Sequence, residues 1–489
     1  MTETVQDEVA ATKDAYRWVF AGLAFLAIIV VAFIINQSFA TDTDNRAVSG
    51  IDIDNGDLKI NWNRYSVTDI ELSDSVTITK PGVYHLTGTL EDGYISIKVN
   101  NKDDAVKLIL DNVIIKNSRG PAIACLSGDD LVIELVGSNI ISDNASYAAD
   151  FDEDVKATIY SKADLTFEGD GELILTANYQ DGIVSKDDLK FKSGTYHITA
   201  IDDAIRGKDS VYIVDGNFSI DSKGDGIKSI NETDPGKGFV LIENGNLEIN
   251  SGDDGIHAIK TLVIQDGTIN IEQSYEGLEA QIISINGGNI NIKSYDDGIN
   301  AGGGSDTTNS QGGPFDSNTN CMLTVNAGNI YINASGDGVD SNGYIHFNGG
   351  NTIIDGPTNN GNGALDAGIS IIMNGGSVLA IGASGMAEAL GSTSSIYNVS
   401  VYFPTAQKAE TKITIKNSSG ETLIRHVSTK TFSHLAVGLE QFALGETYTL
   451  YLNNTEYETF TISDTTTIVG NSTTNQYNMS PPSMPGGRR

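Results

Sequence analysis

The chain has 489 residues, enough for more than one domain, and carries 64 acidic side chains against 30 Lys and Arg, a formal net charge of −34. A protein that binds nucleic acid needs a basic face to neutralise phosphates, so this charge and the scattered Lys and Arg exclude nucleic acid as a partner.

The N-terminal segments predict export and membrane attachment. Residues 1–18 are short and polar, and residues 19–36 are almost wholly apolar, at the lower limit of spanning length. We interpret this run as an uncleaved transmembrane signal anchor, because the polar segment before it is long for a signal peptide; cleavage at residues 38–40 is the alternative. We expect the bulk of the chain outside the cell, held at the cell membrane, or secreted if the signal is cleaved. Residues 37–61 predict a polar linker.

A short acidic phrase then recurs at a nearly fixed step. Aligning the small residue that precedes an aliphatic one gives steps of 22, 22, 29, 22, 21 and 40 residues. A period of this size predicts a repeat architecture. The aligned positions are Gly182, Ala204, Gly226, Gly255, Gly277, Gly298 and Gly338.

Each repeat has the chemistry of short strands. In residues 261–299, runs of three to five residues alternate apolar with polar and end at Gly, Asn or Asp. Two or three such strands per 22 residues predict an all-β fold: a right-handed, single-stranded parallel β-helix over residues 62–398, with coils about 4.8 Å apart. Sandwiches and propellers would need longer strands and periods. The predicted inward stack is Ile205, Ile227, Ile256, Leu278, Ile299 and Val339.

The two longest spacings between repeats, and the positions of the two cysteines, are consistent with a stack of coils. We expect a loop on one coil between Gly226 and Gly255, and a Gly/Ser/Asn-rich excursion over residues 301–320, either of them passive or part of a binding face. Cys125 and Cys321 lie 196 residues apart, roughly nine coils, so a disulfide between them is excluded and both are expected to be buried.

Beyond the repeat, residues 399–470 predict a small C-terminal β region that covers the last coil, as exposed solenoid ends require. Residues 471–489 predict a disordered tail.

The repeat arranges polar residues in two columns, because equivalent positions of neighbouring coils lie about 5 Å apart. The outward column reads Val184, Arg206, Lys228, His257, Glu279, Asn300, Asp340, Asp366 and Glu388. The turn column of acids reads Asp181, Asp202, Asp203, Asp225, Asp253, Asp254, Glu276, Asp296, Asp297 and Asp337.

Stacked acids imply a cation. Two carboxylates about 5 Å apart repel by roughly 3 kcal/mol at an effective dielectric near 20. Because we expect a surface turn to stay hydrated, bound calcium is a simpler remedy than raised pKa values, and stacked turns offer its oxygen ligands. The alternative, for any single Asp, is a turn-shaping role. The candidate ligands are Asp202, Asp203, Asp225, Asp253, Asp254, Glu279, Asp296, Asp297, Asp337 and Asp340.

The outward column also suggests a site for a linear sugar polymer. Its basic part could hold uronate carboxylates directly, and calcium could bridge uronates to the acids further along. The alternative for Arg206 and Lys228 is ion pairing with Asp202, Asp203 or Asp225, and the alternative for the tyrosines is ordinary packing. The candidate ligand-binding residues are Arg206, Lys228, His257, Tyr275, Tyr295 and Asn300, with Tyr179 as a further aromatic.

The repeated phrases, GDGIK at residues 224–228 and SxDDGI at residues 251–256 and 294–299, resemble the clostridial carbohydrate-binding β-helix family, formerly a domain of unknown function. The resemblance covers residues 62–398, and the later phrases ETYTLYLN and ETFTIS are similar as well. It implies a fold like that of calcium-dependent pectate lyases, and an extracellular calcium-binding protein that attaches to cellulose or polygalacturonate without catalysis. The N-terminal anchor departs from the family.

Two other functions stay open. In a calcium-dependent pectate lyase, Lys228 or Arg206 would act as the base, but the surrounding acids raise the pKa of such a group and disfavour proton abstraction. In a surface stalk or adhesin, calcium would stabilise the solenoid and no glycan would bind.

Overall fold

The computed structural model describes residues 60–101, 104–148, 154–302 and 317–470, together with Ile51 and Ile53. In this part of the chain no residue is α-helical, and a 3-10 turn at Trp62–Arg64 precedes the strands. A helix long and apolar enough to cross a membrane is absent from the described residues. The predicted anchor at 19–36, most of the linker and the predicted tail at 471–489 lie outside them.

The strands form three parallel ladders, in which each strand pairs with its equivalent one coil later. Ladder A consists of β2 (Val76–Ile78), β4 (Ile95–Lys98), β6 (Ile123–Ser127), β9 (Ala157–Ser161), β12 (Asp181–Ser185), β15 (Ile205–Gly207), β18 (Ile227–Ser229), the first halves of β21 (Ile256–Ile264) and β23 (Leu278–Ile285), β25 (Ile299–Ala301), β28 (Val339–Ser341) and β31 (Leu365–Ala367).

Ladder B comes after ladder A within each coil. It consists of β1 (Val67–Leu72), β3 (Gly82–Leu90), β5 (Ala105–Lys116), β7 (Asp130–Val136), β10 (Asp164–Glu168), β13 (Asp188–Phe191), β16 (Ser210–Ile213), β19 (Phe239–Ile242), the second halves of β21 and β23, β26 (Met322–Val325), β29 (Tyr344–Phe347) and β32 (Ser370–Met373).

Ladder C completes the coil. After the ends of β3 and β5 it consists of β8 (Ser138–Ser142), β11 (Glu172–Ala177), β14 (Thr195–Ala200), β17 (Asn217–Ser222), β20 (Asn246–Asn250), β22 (Thr268–Gln273), β24 (Asn289–Ser294), β27 (Asn329–Ala334), β30 (Asn351–Asp355) and β33 (Ser377–Gly382). The predicted all-β fold with a long parallel sheet is confirmed; the hand of the coil stays a prediction.

The core is a set of apolar stacks along the solenoid. In ladder A the predicted inward residues pair in succession from Ile205 to Val339, and none is more than 1% exposed. Aromatic rings pack between ladders B and C, where Phe191 contacts Tyr196 and Phe218 at centroid distances of 5.0 and 5.3 Å. Burying one such side chain contributes about 1.5–3 kcal/mol, so the stacks stabilise the coils collectively.

A separate β region comes after the last coil. Strand β37 (Phe432–Leu439) pairs antiparallel with β33, and β34 (Asn398–Gln407) lies on its other side and pairs with β40 (Thr466–Val469). A four-stranded antiparallel sheet is formed by β36 (Thr422–Val427), β35 (Lys412–Asn417), β38 (Thr447–Leu452) and β39 (Thr455–Thr461). These strands share a second hydrophobic core, distinct from that of the coils.

The loop and cysteine predictions fit this architecture. The extra residues after Gly226 form a loop between β18 and β19, whose Asn231 amide donates to Asp209 Oδ1 at 2.7 Å. The interior of the excursion predicted at residues 301–320 lies outside the described residues. Cys125 and Cys321 are both buried and free, as expected.

The glycines of the repeated phrase permit close approach of successive coils. A Cβ at Gly298 would lie 2.3 Å from Ile332 Cγ2 and 2.5 Å from the carbonyl oxygen of Gly338. Gly277 is similar, with contacts of 2.3 Å to Ile292 Cγ2 and to the oxygen of Gly298. Glycine at these positions therefore provides space between coils rather than an unusual backbone conformation.

We expect Gly298→Ala to lower the free energy of unfolding by about 1–3 kcal/mol, because the new methyl group overpacks the junction of ladders A and C. Thermal unfolding followed by circular dichroism measures the change. Gly361→Ala is the matched control, since Gly361 is exposed and its Cβ would meet only Asn359 Oδ1, at 3.2 Å. An equal effect of the two substitutions would contradict the packing argument.

Candidate functional site

The strand register builds the predicted outward column. Arg206 pairs with Lys228, Lys228 with His257, and His257 with Glu279. The series continues through Asn300 to Asp340 and Asp366. These side chains therefore succeed one another on adjacent coils along the outer side of ladder A, as the sequence predicts.

Each turn acid also connects two coils. One carboxylate oxygen of Asp203 accepts a hydrogen bond from the backbone N–H of Asp225, at 3.0 Å, and Asp225 accepts in the same way from Asp254, at 2.8 Å. The same bond joins Asp181 with Asp203, Asp254 with Glu276 and Asp297 with Asp337. Sequence reasoning missed this inter-coil role, although the acid recurs at every coil in the position before the small residue.

Four of the turn acids are buried, so the expectation that these turns stay hydrated was wrong for them, while others in the column remain exposed. The exposed fraction is 0% for Asp225, 1% for Asp181, 5% for Asp254 and 6% for Asp203. Burial results from the stacking itself, because the turns of adjacent coils cover one another. In the outward column His257 is also only 1% exposed, so it faces away from the core without reaching solvent.

Burial raises the pKa of the acids in the column. Desolvation is the largest cause and neighbouring carboxylates add to it, so the pKa values of Asp181 and Asp225 rise to about 7 and that of Asp297 to about 8. The pKa of Glu276 rises to about 10, through burial and then the charges of Glu279 and Asp254. Protonation is thus a real alternative to a bound cation, contrary to the expectation from the sequence.

Basic side chains neutralise acids in the upstream half of the two columns, by which we mean the coils up to His257. Arg206 forms an ion pair with Asp181, and Lys228 Nζ lies 2.6 Å from Asp225 Oδ2. The ion-pairing interpretation of these two residues is therefore correct, with Asp181 rather than Asp202 as the main partner of Arg206. These contacts occupy the two residues that were the candidate base of a lyase.

His257 adds a third positive charge. Burial lowers its pKa, but the hydrogen bond with Asp254 and the charges of Glu279 and Asp225 outweigh this effect and raise the pKa to about 9. Its Nδ1 lies 3.2 Å from Glu279 Oε2 and 3.4 Å from Asp254 Oδ2. At neutral pH, His257 is therefore a buried cation held among acids.

Acids dominate the downstream half of the columns, which comprises the coils after His257. Carboxylate oxygens of Asp337, Asp340 and Asp366 lie within 4.8 Å of one another. The pKa of Asp340 rises to about 7, through burial and then the charges of Asp337 and Asp366. Glu388, in the next coil, has a pKa raised to about 7 by burial and by Asp366. This cluster is the strongest candidate metal centre.

A second group of downstream acids leaves buried oxygen atoms without hydrogen bonds. Oxygens of Asp254, Glu276 and Glu279 lie within 4.8 Å of one another. Asn300 donates to Glu276 Oε1 at 3.0 Å, whereas Glu276 Oε2 and Asn300 Oδ1 are buried and have no hydrogen-bond partner. An unsatisfied buried acceptor is costly, and an all-oxygen donor set fits calcium. The oxygens of Glu276 and Asn300 therefore fit this ion, while the charges of Asp254 and Glu279 are already balanced in part by His257.

The structure groups the sequence-predicted ligands unevenly. Asp202 and Asp203 cluster with Asp181, and Asp225 clusters with Asp254 and His257. Asp253, which is exposed, and Asp296 belong to none of these clusters in the described part of the chain. The sequence-based ligand set omitted Glu276, Asp366 and Glu388, although all three occupy the repeated positions of the two columns.

Two tyrosines beside the column are exposed, so the alternative of ordinary packing does not hold for them. The exposed fraction is 49% for Tyr275 and 64% for Tyr295, and the two residues occupy equivalent turns of successive coils. Tyr179 differs, because its ring stacks on Tyr147 with a centroid distance of 4.4 Å. Tyr275 and Tyr295 thus offer open aromatic surface next to Glu276 and Asp296.

Two sequence comparisons match carbohydrate-binding domain-containing proteins. A family model described as carbohydrate-binding domain-containing protein matches residues 73–320. A carbohydrate-binding domain-containing protein of Acetivibrio thermocellus is 37% identical over 129 residues, 26% of this chain; the match spans only 45% of that relative's length. A solved polysaccharide lyase-like protein from C. thermocellum, a gadolinium derivative, is similar with 31% identity over 45% of this chain and 91% of its own, at a TM-score of 0.40.

In the metal-free protein, we expect Asp340→Asn to raise the melting temperature at pH 8 and to leave it unchanged near pH 4. The pKa of Asp340 is 3.8 ordinarily and about 7 in the fold, so between these values the native state binds more protons, and the free energy of unfolding falls as pH rises. Removing the charge reverses that loss, by roughly 1 °C for each kcal/mol regained in a folded region of this size.

Asp266→Asn is the matched control for this experiment, because Asp266 is an exposed turn acid whose side chain accepts from the N–H of Gly267, and its replacement should leave the melting temperature unchanged at both pH values. Scanning calorimetry in chelator at both pH values measures the two variants. A lower melting temperature for Asp340→Asn than for the wild-type protein at pH 8 would mean that the Asp340 charge is stabilising.

Proposed function

The chain belongs to the family of carbohydrate-binding domain-containing proteins, and on that basis we propose that it is a calcium-binding, non-catalytic protein of the cell surface that attaches to polysaccharide. Carbohydrate binding is the property of the family. Calcium, the acidic column as the binding face and the extracellular location are our proposal.

The observation that carries the proposal is the cluster of Asp337, Asp340 and Asp366. Three carboxylate oxygens within 4.8 Å of one another repel when ionised, and burial strengthens that repulsion. A divalent cation offsets it, and calcium accepts irregular sets of carboxylate and carbonyl oxygens. Asp297 and Glu388 on either side, with the group around Glu276, would provide further ligands.

The glycan would lie along the exposed edge of the downstream column. Tyr275 and Tyr295 can stack on sugar rings, and Asn300 lies beside the acids. Bound calcium would supply positive charge for the carboxylates of an acidic polysaccharide such as polygalacturonate. The fully buried His257 is no longer a candidate for direct contact, and Arg206 and Lys228, at 24% and 12% side-chain exposure, are engaged by acids.

The same contacts favour binding over lyase chemistry. A catalytic base must release its proton readily and reach the substrate. Lys228 and Arg206 are each held by a buried carboxylate, so both side chains are directed at the protein's own acids. Attachment to the membrane rests on the apolar run at residues 19–36, which lies outside the described residues.

We expect calorimetric titration of the chelator-treated, full-length protein to show calcium binding, and Asp340→Asn combined with Asp366→Asn to weaken it about tenfold or more, because affinity depends on the number of charged ligands. Asp266→Asn is the matched control, since Asp266 is an exposed turn acid whose side chain accepts from the N–H of Gly267. No heat of binding with the wild-type protein would refute the calcium proposal.

We further expect an affinity gel containing polygalacturonate to retard the protein in calcium and not in chelator. The Asp340→Asn, Asp366→Asn variant should lose the retardation and the Asp266→Asn control should keep it. Calcium binding without retention on any glycan would support the surface stalk instead. New ultraviolet absorbance from unsaturated uronate products would support the lyase.

A further inference from the structure

A second polar surface lies on the outer side of ladder C, separate from the acidic column on ladder A. A groove of about 450 Å³ runs across strands β20, β22, β24, β27 and β30. We name this surface the amide face, because asparagines from several successive coils line it: Asn270, Asn289, Asn291, Asn329 and Asn351.

The amide side chains are linked into rows along the solenoid. Asn291 Nδ2 donates to Asn270 Oδ1 at 2.6 Å, and Asn270 Nδ2 donates to Glu248 Oε2 at 2.7 Å. A parallel row includes the bond from Asn329 Nδ2 to Asn289 Oδ1, at 3.0 Å. These bonds hold the amides in fixed orientations, so little side-chain entropy remains to be lost when a ligand binds.

Each linked amide keeps hydrogen-bonding capacity for a ligand. An asparagine side chain has two N–H donors and two acceptor lone pairs, and a row uses one of each at most. The remaining donors and acceptors of Asn289, Asn291 and Asn329 line the open groove at the spacing of successive coils, about 4.8 Å. Sugar hydroxyls both donate and accept, and an extended chain of hexoses presents them at a similar repeat.

An aromatic ring completes the amide face. Tyr331 lies in the same outward column as Asn291, and its hydroxyl donates to Asp355 Oδ2 at 3.0 Å. Asp355 also accepts from the backbone N–H of Thr429, at 2.8 Å, and lies 2.7 Å from His426 Nε2. The C-terminal β region therefore fixes the tyrosine, whose ring can serve as a stacking platform for a sugar.

The charge of the groove favours a neutral polysaccharide over an acidic one. Glu248 is the only charged residue among those that line it in the described part of the chain. A uronate polymer would meet this carboxylate with no counter-charge, whereas a neutral chain avoids the repulsion. We propose that the amide face is a second glycan site, which binds a neutral polysaccharide in an extended conformation and does so without calcium.

The test uses the full-length protein in excess chelator and an affinity gel that contains hydroxyethyl cellulose. We expect retardation of the wild-type protein, and a loss of affinity of about tenfold or more for Asn291→Leu combined with Asn329→Leu, since several hydrogen bonds to the glycan are removed. Asn348→Leu is the matched control. Asn348 is exposed and belongs to a linked amide row, with a bond of 3.0 Å to Asn326 Oδ1, but lies outside the groove.

The Asp340→Asn, Asp366→Asn variant separates the two proposals, because it should keep the retardation by the neutral glycan even if calcium-dependent binding is lost. Hydroxyl-radical footprinting of the wild-type protein needs no variant: the glycan should protect Tyr331 and leave Tyr275 and Tyr295 unchanged. Absence of retardation in chelator, equal affinity of the double leucine variant, or protection of Tyr275 and Tyr295 in place of Tyr331 would each overturn the amide-face proposal.

Discussion

Backbone hydrogen bonding between successive coils is the constraint on which the structure depends. It fixes equivalent residues one strand spacing apart, about 4.8 Å, whatever their chemistry. Aliphatic side chains such as Ile256 and Leu278 gain from this proximity, because each covers its neighbour. Amides such as Asn270 and Asn291 gain as well, since each can donate to the next. Like charges are brought into conflict, and carboxylates are the most numerous of these, so the acidic column is the place where the fold requires a further interaction.

An acid occupies this turn position in successive coils, despite the repulsion, because its two carboxylate oxygens have different roles. One oxygen of Asp225 accepts the backbone N–H of Asp254, which would otherwise be left unsatisfied between coils. The other oxygen lies in the column and carries the repulsion. Upstream, Arg206, Lys228 and His257 balance this charge within the chain itself. Downstream, around Asp340, the negative charge is balanced by protons or by an external cation. The upstream half of the column is therefore structural, and the downstream half is the one suited to a functional site.

Period and alternation in the sequence were enough to predict the register of the coils. Aligning the repeated glycines placed Arg206, Lys228 and His257 in one column and assigned the inward stack, because the register of a parallel ladder is fixed by the repeat. Burial could not be predicted in this way. Whether Asp225 is hydrated depends on how closely adjacent turns cover it, and whether Tyr295 is exposed depends on the bend of the chain at that corner. The amide face could not be predicted without knowing which residues share the outer side of ladder C. The strand order of the C-terminal region could not be predicted either, because its sequence does not repeat.

The antiparallel pairing of β37 with β33 has a consequence for assembly. A stack of parallel strands ends in unsatisfied N–H and C=O groups, which are a template for adding further chains. Strand β37 occupies that template in the opposite direction and brings its own hydrophobic core with it. Another copy of the protein therefore cannot extend ladder C beyond β33, because the edge of that strand is already paired.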